Sequence, residues 1–348
     1  MLSPWPGAGR RHSVVVMRRT LLITALTLTA TASAAATSDA TFPGENGPIA
    51  YRNLDFETGL GVPLFRANPD GSEVSVLSDR PGFFSDWRAD GERIAFDFFE
   101  PDGDEQIATA RPNGSNLRVI TTGPGIHEVP SWSPDGSRIV FNYSPDLPDA
   151  PGFETRLWTM RPDGSDARPL PMRSAGFDNE AKYSPDGRSI VFTRLRLPAG
   201  RGDPQTAIMS VGAEGGRVER LTPWSTYPVE PTLRDAYPEH PTWSPDGRWI
   251  LFNLGPNGTI QAMRPDGRDR HTILEAREGF GGHKPWASPD GTRILFVCEN
   301  WGSLPEPPPD FNDDICVMDA DGTDIVNLTN TTAIFENWPS WGPAPEHD

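Results

Sequence analysis

The sequence predicts an all-β chain: a six-bladed β-propeller of four-stranded antiparallel blades, closed by pairing of its N- and C-terminal strands. Three observations carry this. One strand–turn–strand unit recurs along the chain. The 348 residues include 34 Gly and 38 Pro, which favours many turns over long helices. The first and last stretches of the body match complementary halves of one unit.

In chain order, residues 1–36 read as an export signal. Arg18 and Arg19 precede the apolar run Leu21 to Ala30, and Ala32-Ser33-Ala34 offers a small-residue cleavage site. Arg18-Arg19-Thr20-Leu21-Leu22 loosely matches a twin-arginine signal; the general secretory pattern fits better. The run is too short, and too rich in Thr and Ala, for a retained span. No Cys follows it, so no bacterial lipid anchor is indicated. The expected protein is secreted, periplasmic or bound in the cell envelope, with no membrane insertion once the signal is removed.

The remainder, about 42–345, is expected to be one domain. Its clearest unit is Pro130-Ser131-Trp132-Ser133-Pro134-Asp135-Gly136, followed by Ile139-Val140-Phe141. A second copy runs from Pro241 to Phe252, and looser ones begin at Ser85, Ala181 and Pro285. Ser-Pro-Asp-Gly suits a tight turn: Pro presets φ, Asp bonds nearby backbone, and Gly takes positive φ. The β-branched and aromatic run after it suits a buried strand. The turn aspartates Asp90, Asp135, Asp186, Asp246 and Asp290 are spaced by 45, 51, 60 and 44 residues. A second Gly turn follows in each unit, at Gly71, Gly114, Gly164, Gly215, Gly267 and Gly322, giving six second turns against five complete first turns. The missing first turn is split: Gly47 to Tyr51 matches the strand after it, and Pro339 to Pro343 the strand before it. A four-stranded unit of this period, closed end to end, is a propeller, and closure hides edges that an open array would expose.

The repeated Pro-x-Trp-Ser-Pro-Asp-Gly-x-x-Ile-x-Phe, then Met-x-x-Asp-Gly, resembles the WD-like repeats of TolB-type propellers. The resemblance covers the propeller part only and implies the fold. It leaves function open, because such propellers serve both binding proteins and peptidase accessory domains. Trp87, Trp132, Tyr183, Trp243 and Trp341 share one repeat position and are expected to pack between blades. The turn aspartates read as structural.

The net charge is −17, and four arginines precede residue 40 against Asp39 alone, so the body is more acidic still. Such a body repels nucleic acid and favours cations, basic partners or neutral ligands. Lys182 and Lys284 are the only lysines, which reads as compositional bias.

Both Gly turns of an up-down blade fall on one face. The insertions 142–156, 194–205, 222–240 and 299–313 then gather on the other, the expected binding side. The innermost strands start there. Seven residues before each turn Asp stand Phe83, Glu128, Asn179, Glu239 and His283, with Asn337 in the split unit. His127, Glu180, His240, Lys284 and Glu336 lie beside them. Carboxylates and imidazoles converging on a channel mouth can polarise a ligand or hold a divalent cation; no other cofactor is implied. Phe153, Trp224, Tyr227, Tyr237, Trp301 and Phe311 either offer stacking surfaces for sugar or peptide, or pin the loops. Gly-x-Ser-x-Gly, His-Glu-x-x-His and phosphate-loop motifs are absent.

Cys298 and Cys316 are expected to form a disulfide, as in exported proteins. Reading Asn257-Gly258 as a two-residue turn sets Phe252 opposite Met263. By analogy Phe296 falls opposite Met318, and the two cysteines oppose each other directly.

The sequence therefore points to a monomeric, non-catalytic binding module for a protein, peptide or carbohydrate ligand. The alternative is a metal-dependent lyase, lactonase or hydrolase acting on a carbohydrate-like substrate at the channel mouth.

Overall fold

The structure is a computed structural model and describes residues 45–54, 61–101, 103–145, 154–173, 176–197, 203–227, 236–256, 258–277, 279–300, 313–331 and 335–345. The segment 1–36, part of each long insertion (146–153, 198–202, 228–235 and 301–312), and with them Phe153, Trp301 and Phe311, lie outside the described residues.

Strands form because each repeat supplies a turn and then a short β-branched run. The first strands are β1 (Asn46–Leu54), β2 (Gly61–Ala67) and β3 (Ser75–Ser78). Next come β4 (Ser85–Trp87), β5 (Ile94–Phe99), β6 (Glu105–Ala110) and β7 (Arg118–Val119). The third group is β8 (Ile126–Trp132), β9 (Ile139–Ser144), β10 (Arg156–Met160) and β11 (Arg168–Pro169). The fourth is β12 (Phe177–Tyr183), β13 (Ser189–Arg196), β14 (Gln205–Gly212), β15 (Gly215–Arg220) and the short β16 (Ser225–Thr226). Then follow β17 (Ala236–Trp243), β18 (Ile250–Pro256), β19 (Thr259–Met263) and β20 (His271–Leu274). The last are β21 (Phe280–Ala287), β22 (Arg293–Asn300), β23 (Asp314–Asp319), β24 (Val326–Asn327) and β25 (Phe335–Pro343).

Within each group, neighbours in sequence pair antiparallel, except that β16 pairs β14 and β25 pairs outside its group. A single parallel pair, Glu105 with Ile126, joins the second and third groups into one sheet. The last strand returns to the first: β25 pairs antiparallel with β1, setting Trp341 opposite Ile49 and Asn337 opposite Arg52. Trp341 Nε1 donates to Gly47 O at 3.0 Å.

The tight turns work as their residues dictate. Asp135 accepts from Ser133 Oγ at 2.6 Å and from Ser137 N at 3.0 Å, and Gly136 takes φ 65°. Asp186, Asp246 and Asp290 each accept the serine hydroxyl two residues earlier at 2.6 Å. These carboxylates maintain turn geometry, and the serine hydroxyl is the leading cause that holds Asp135 and Asp186 below the usual carboxylate range.

Apolar clusters fill the seams between successive groups. Ala50 and Leu64 pack with Trp87 and Phe96; Ala95 and Ile107 with Trp132 and Phe141; Val140 and Leu157 with Ile190 and Phe192. Val191 and Ile208 meet Ile250 and Phe252, and Leu251 and Ile260 meet Ile294 and Phe296. Finally Ile49 and Trp341 pack with Leu295 and Val317. The repeated aromatic position is therefore core, as expected.

Hairpin register differs from expectation. In the fifth group Leu254 pairs with Thr259, so the loop is four residues long rather than two, and Ile250, not Phe252, stands opposite Met263. In the last group Cys298 stands opposite Asp314, and Cys316 opposite Phe296. The disulfide still forms, running diagonally between the strands with Cα atoms 5.6 Å apart, inside the permitted span.

Candidate functional site

The starts of the first strands carry a feature that the repeat alone does not announce. Each of β8, β12, β17, β21 and β25 slips register by one residue, between Glu128/Ser131, Asn179/Lys182, Glu239/Thr242, His283/Trp286 and Asn337/Ser340 respectively. A positive-φ residue stands at each slip: Val129 (51°), Glu180 (59°), His240 (53°), Lys284 (52°) and Trp338 (50°). Side chains in this region of φ are strained by about 1–3 kcal/mol. A bulge breaks strand alternation and re-aims the extra residue. That is why adjacent residues, Glu239 with His240 or His283 with Lys284, enter one network.

The bulge amides need acceptors, and polar side chains supply them. Val129 N donates to Asp97 Oδ2 at 3.2 Å, His240 N to Glu180 Oε2 at 2.9 Å and Lys284 N to Asn253 Oδ1 at 3.1 Å. Asn179 and Asn337 serve their own strands, accepting from Glu180 N at 2.8 Å and Trp338 N at 2.9 Å. Part of the polar ring is thus committed to backbone geometry.

Beyond that duty the structure brings most of the predicted residues together. Asn142 Nδ2 donates to Glu128 Oε1 at 3.5 Å and also to Asn179 Oδ1. His240 Nδ1 lies 2.5 Å from Glu180 Oε1, and Thr193 Oγ1 donates to Glu180 Oε2 at 2.9 Å. His283 Nδ1 lies 2.8 Å from Glu299 Oε1. Asn337 Nδ2 donates to Asp313 Oδ2 at 2.9 Å. A small cavity of about 10 Å³ is lined by Glu239, His240, Asn253, Gly255, Gly258, His283 and Glu299. It is the size of one water or ion.

His127 sits apart. Its Nδ1 lies 3.1 Å from Glu105 O, and its ring packs 4.7 Å from Tyr143 and 6.0 Å from Phe141. It precedes the bulge, so ordinary alternation turns it to the sheet face opposite Glu128. Phe83 lies 4.6 Å from Trp338 and 5.0 Å from Phe99, which makes one wall of the network aromatic. Lys284 Nζ lies 5.1 Å from the Trp338 ring.

Burial dominates the electrostatics. It pushes Glu128 up to about 7, with Asp97 adding to the effect. Glu239 also rises to about 7, through burial first. Burial carries Glu336 to about 8. Glu180 goes the other way: burial raises it, but His240 and the hydrogen bonds it accepts outweigh that and leave it below the usual value. His283 is held well below the usual imidazole range by burial and then by the Lys284 charge.

Several participants were not anticipated. Arg52, wholly buried, donates to Asp97 O at 2.8 Å and to Arg80 O at 2.9 Å. Arg52, Asp97, Asn142, Thr193 and Asn253 each follow the aromatic residue of a second strand, at Tyr51, Phe96, Phe141, Phe192 and Phe252. That polar residue after an apolar run was the available signal. Glu299 and Asp313 flank the cysteines, which was theirs.

Both lysines lie in this interior, so their placement is structural rather than compositional. Lys182 Nζ on β12 lies 3.5 Å from Asp86 Oδ1 on β4 and 4.2 Å from the Trp286 ring on β21. One side chain thereby links three groups that are not neighbours in sequence. Among the loop aromatics, Tyr237 is fully buried with Tyr227 packed 4.5 Å away, and Arg196 lies 3.8 Å over Trp224; all three serve packing.

This repeat of antiparallel strand groups, with polar residues gathered where the first strands begin, defines the β-propeller class of fold. A family model described as the TolB beta propeller domain matches residues 64–345, and the chain belongs to that family. An uncharacterised protein of Agrobacterium fabrum is 27% identical over 273 residues, 65% of this chain and 85% of that protein. The Tol-Pal system protein TolB of Anaeromyxobacter dehalogenans is 30% identical over 193 residues, 55% of this chain. The chain spans 38% of that TolB. The crystal structure of TolB from Acinetobacter baumannii superposes with TM-score 0.64 at 22% identity, covering 86% of this chain and 67% of that one; this likeness speaks to fold.

Proposed function

We propose that the chain is an exported, six-bladed, circularly closed propeller, one domain over about 42–345. On this reading it acts as a monomeric, non-catalytic binding module in the periplasm or cell envelope. The six apolar seams and the β25–β1 pairing support the closed ring. Deleting residues 335–345 should abolish cooperative unfolding, and a truncated chain with an unchanged melt would count against closure.

The observation that carries the binding reading is the gathering of acidic and aromatic side chains in one network. Glu128, Glu180 and Glu239 supply three acidic side chains, and Phe83 with Trp338 supplies a buried aromatic pair. In a chain of net charge −17, this arrangement suits a basic and aromatic peptide segment of a partner protein. The membership of relatives in a Tol-Pal system fits a protein partner.

The test uses a fluorescent peptide alternating Arg and Trp, with an Asp-and-Trp peptide as control. The Arg peptide should bind in the micromolar range, as single-segment recognition does. Gln at positions 128, 180 and 239 together should weaken it at least tenfold. Equal binding of both peptides, or no effect of the triple variant, defeats the reading.

A further inference from the structure

We infer that His283, Glu299 and Asp313 form a binding site for one divalent first-row transition ion. This goes beyond peptide recognition and stands on different residues. His283 comes from β21, Glu299 from β22, and Asp313 immediately precedes β23. One donor atom from each lies within 4.8 Å of the others. Two ligands on a tetrahedral ion bonded at about 2.0–2.2 Å stand about 3.4 Å apart, so a side-chain adjustment of about 1 Å would close the three donors on an ion. The residues are only 7%, 2% and 1% exposed.

The hydrogen bonding is incomplete in the way a ligand site requires. His283 Nδ1 is engaged by Glu299 Oε1 at 2.8 Å. His283 Nε2 and Glu299 Oε2 are buried with no hydrogen-bond partner. Buried polar atoms in folded proteins are almost always paired, so two orphans in one cluster point to an occupant. Asp313 is oriented by Asn337 Nδ2 at 2.9 Å, the kind of outer contact that fixes a ligating carboxylate. The cavity of about 10 Å³ touches both His283 and Glu299.

The neighbouring staple strengthens the argument. Cys298 and Cys316 are bonded, and Cys298 directly precedes Glu299, while Asp313 lies three residues before Cys316. The disulfide therefore pins the two strand ends that carry the carboxylates. One imidazole and two carboxylates make a mixed nitrogen–oxygen set that suits manganese or zinc better than calcium or magnesium, which prefer oxygen alone. Three protein donors leave a coordination position open. The surrounding charges are the Lys284 ammonium, which opposes a cation, and Glu239, Glu180 and the paired carboxylates, which favour one.

The test is isothermal titration of the oxidised, EDTA-dialysed protein with Mn²⁺ and with Zn²⁺, supported by metal analysis after gel filtration. One ion per chain is expected, with a rise in melting temperature on loading. E299Q, D313N and H283Q should each weaken binding by more than about 100-fold, while D163N, at an exposed turn, should bind as wild type does. Co²⁺ loading should give visible d–d absorption that is lost in H283Q. Substoichiometric binding by the folded wild type overturns the proposal, and so does undiminished binding by E299Q or D313N. If E299Q fails to fold, as judged by circular dichroism, D313N and the wild-type stoichiometry still decide.

Discussion

Replacing Glu239 with Gln tests whether burial governs the charge of the network. Burial lifts the Glu239 carboxyl from 4.5 to about 7, with Glu180 adding to the effect and His240, Lys284 and Asn253 opposing it. A carboxyl raised by folding supports the fold while neutral. Its contribution is complete below the unfolded value near 4.5 and is lost as pH climbs through about 7. A shift from 4.5 to about 7 corresponds to about 3.4 kcal/mol. Gln stays neutral at every pH and keeps the shape of the Glu side chain beside Asn253. The assay is urea unfolding of the metal-free protein in EDTA, from about pH 5 to about pH 8.5. Across that window the wild type should lose about 2.5 kcal/mol relative to Glu239→Gln. Parallel stability curves for the two proteins would show that Glu239 ionises at its ordinary value, and the electrostatic account of the network would fail with it.

Other outcomes follow from the same geometry. Reducing the Cys298–Cys316 bond, which closes a separation of 18 residues, should lower unfolding free energy by about 3 kcal/mol in the chain-entropy model, measured by urea titration with and without reductant. Lys182→Met leaves the Asp86 carboxylate buried without its ion pair and should cost about 3–5 kcal/mol; adding Asp86→Asn should recover much of that loss in the same denaturation assay. Trp341→Ala removes a buried ring from the seam between first and last strands and should cost about 3–5 kcal/mol, read as a lower melting temperature.

The fold was legible because its unit repeats. Ser133-Pro134-Asp135-Gly136 and its copies specify the turns through local hydrogen bonds that need no distant partner, and Trp132 and its equivalents mark the seams. The split unit showed in Trp341 and Ile49, which do pair. The site was legible only in part. Glu128, Asn179, Glu239, His283 and Asn337 hold equivalent positions, so symmetry located them. The bulges at Val129, Glu180, His240, Lys284 and Trp338 have no mark in the sequence, because a one-residue slip arises from tertiary pairing and leaves no change in spacing. Adjacency in sequence sets His127 beside Glu128, although the two face opposite ways. Glu299 and Asp313 stand at loop ends where no repeat position marks them. Hairpin register failed for a related reason: Asn257-Gly258 resembles a two-residue turn, yet the strands separate after Leu254.

The burial of both lysines has a practical consequence. Lys284 is 8% exposed, and the Lys182 side chain is 14% exposed and held by Asp86. Every other cationic side chain apart from histidine is a guanidinium. Succinimidyl esters and amine-directed tethers should therefore find almost nothing to acylate on the native surface beyond the chain terminus. Labelling of Lys182 or Lys284 would then act as a chemical alarm, reporting that the interior has opened.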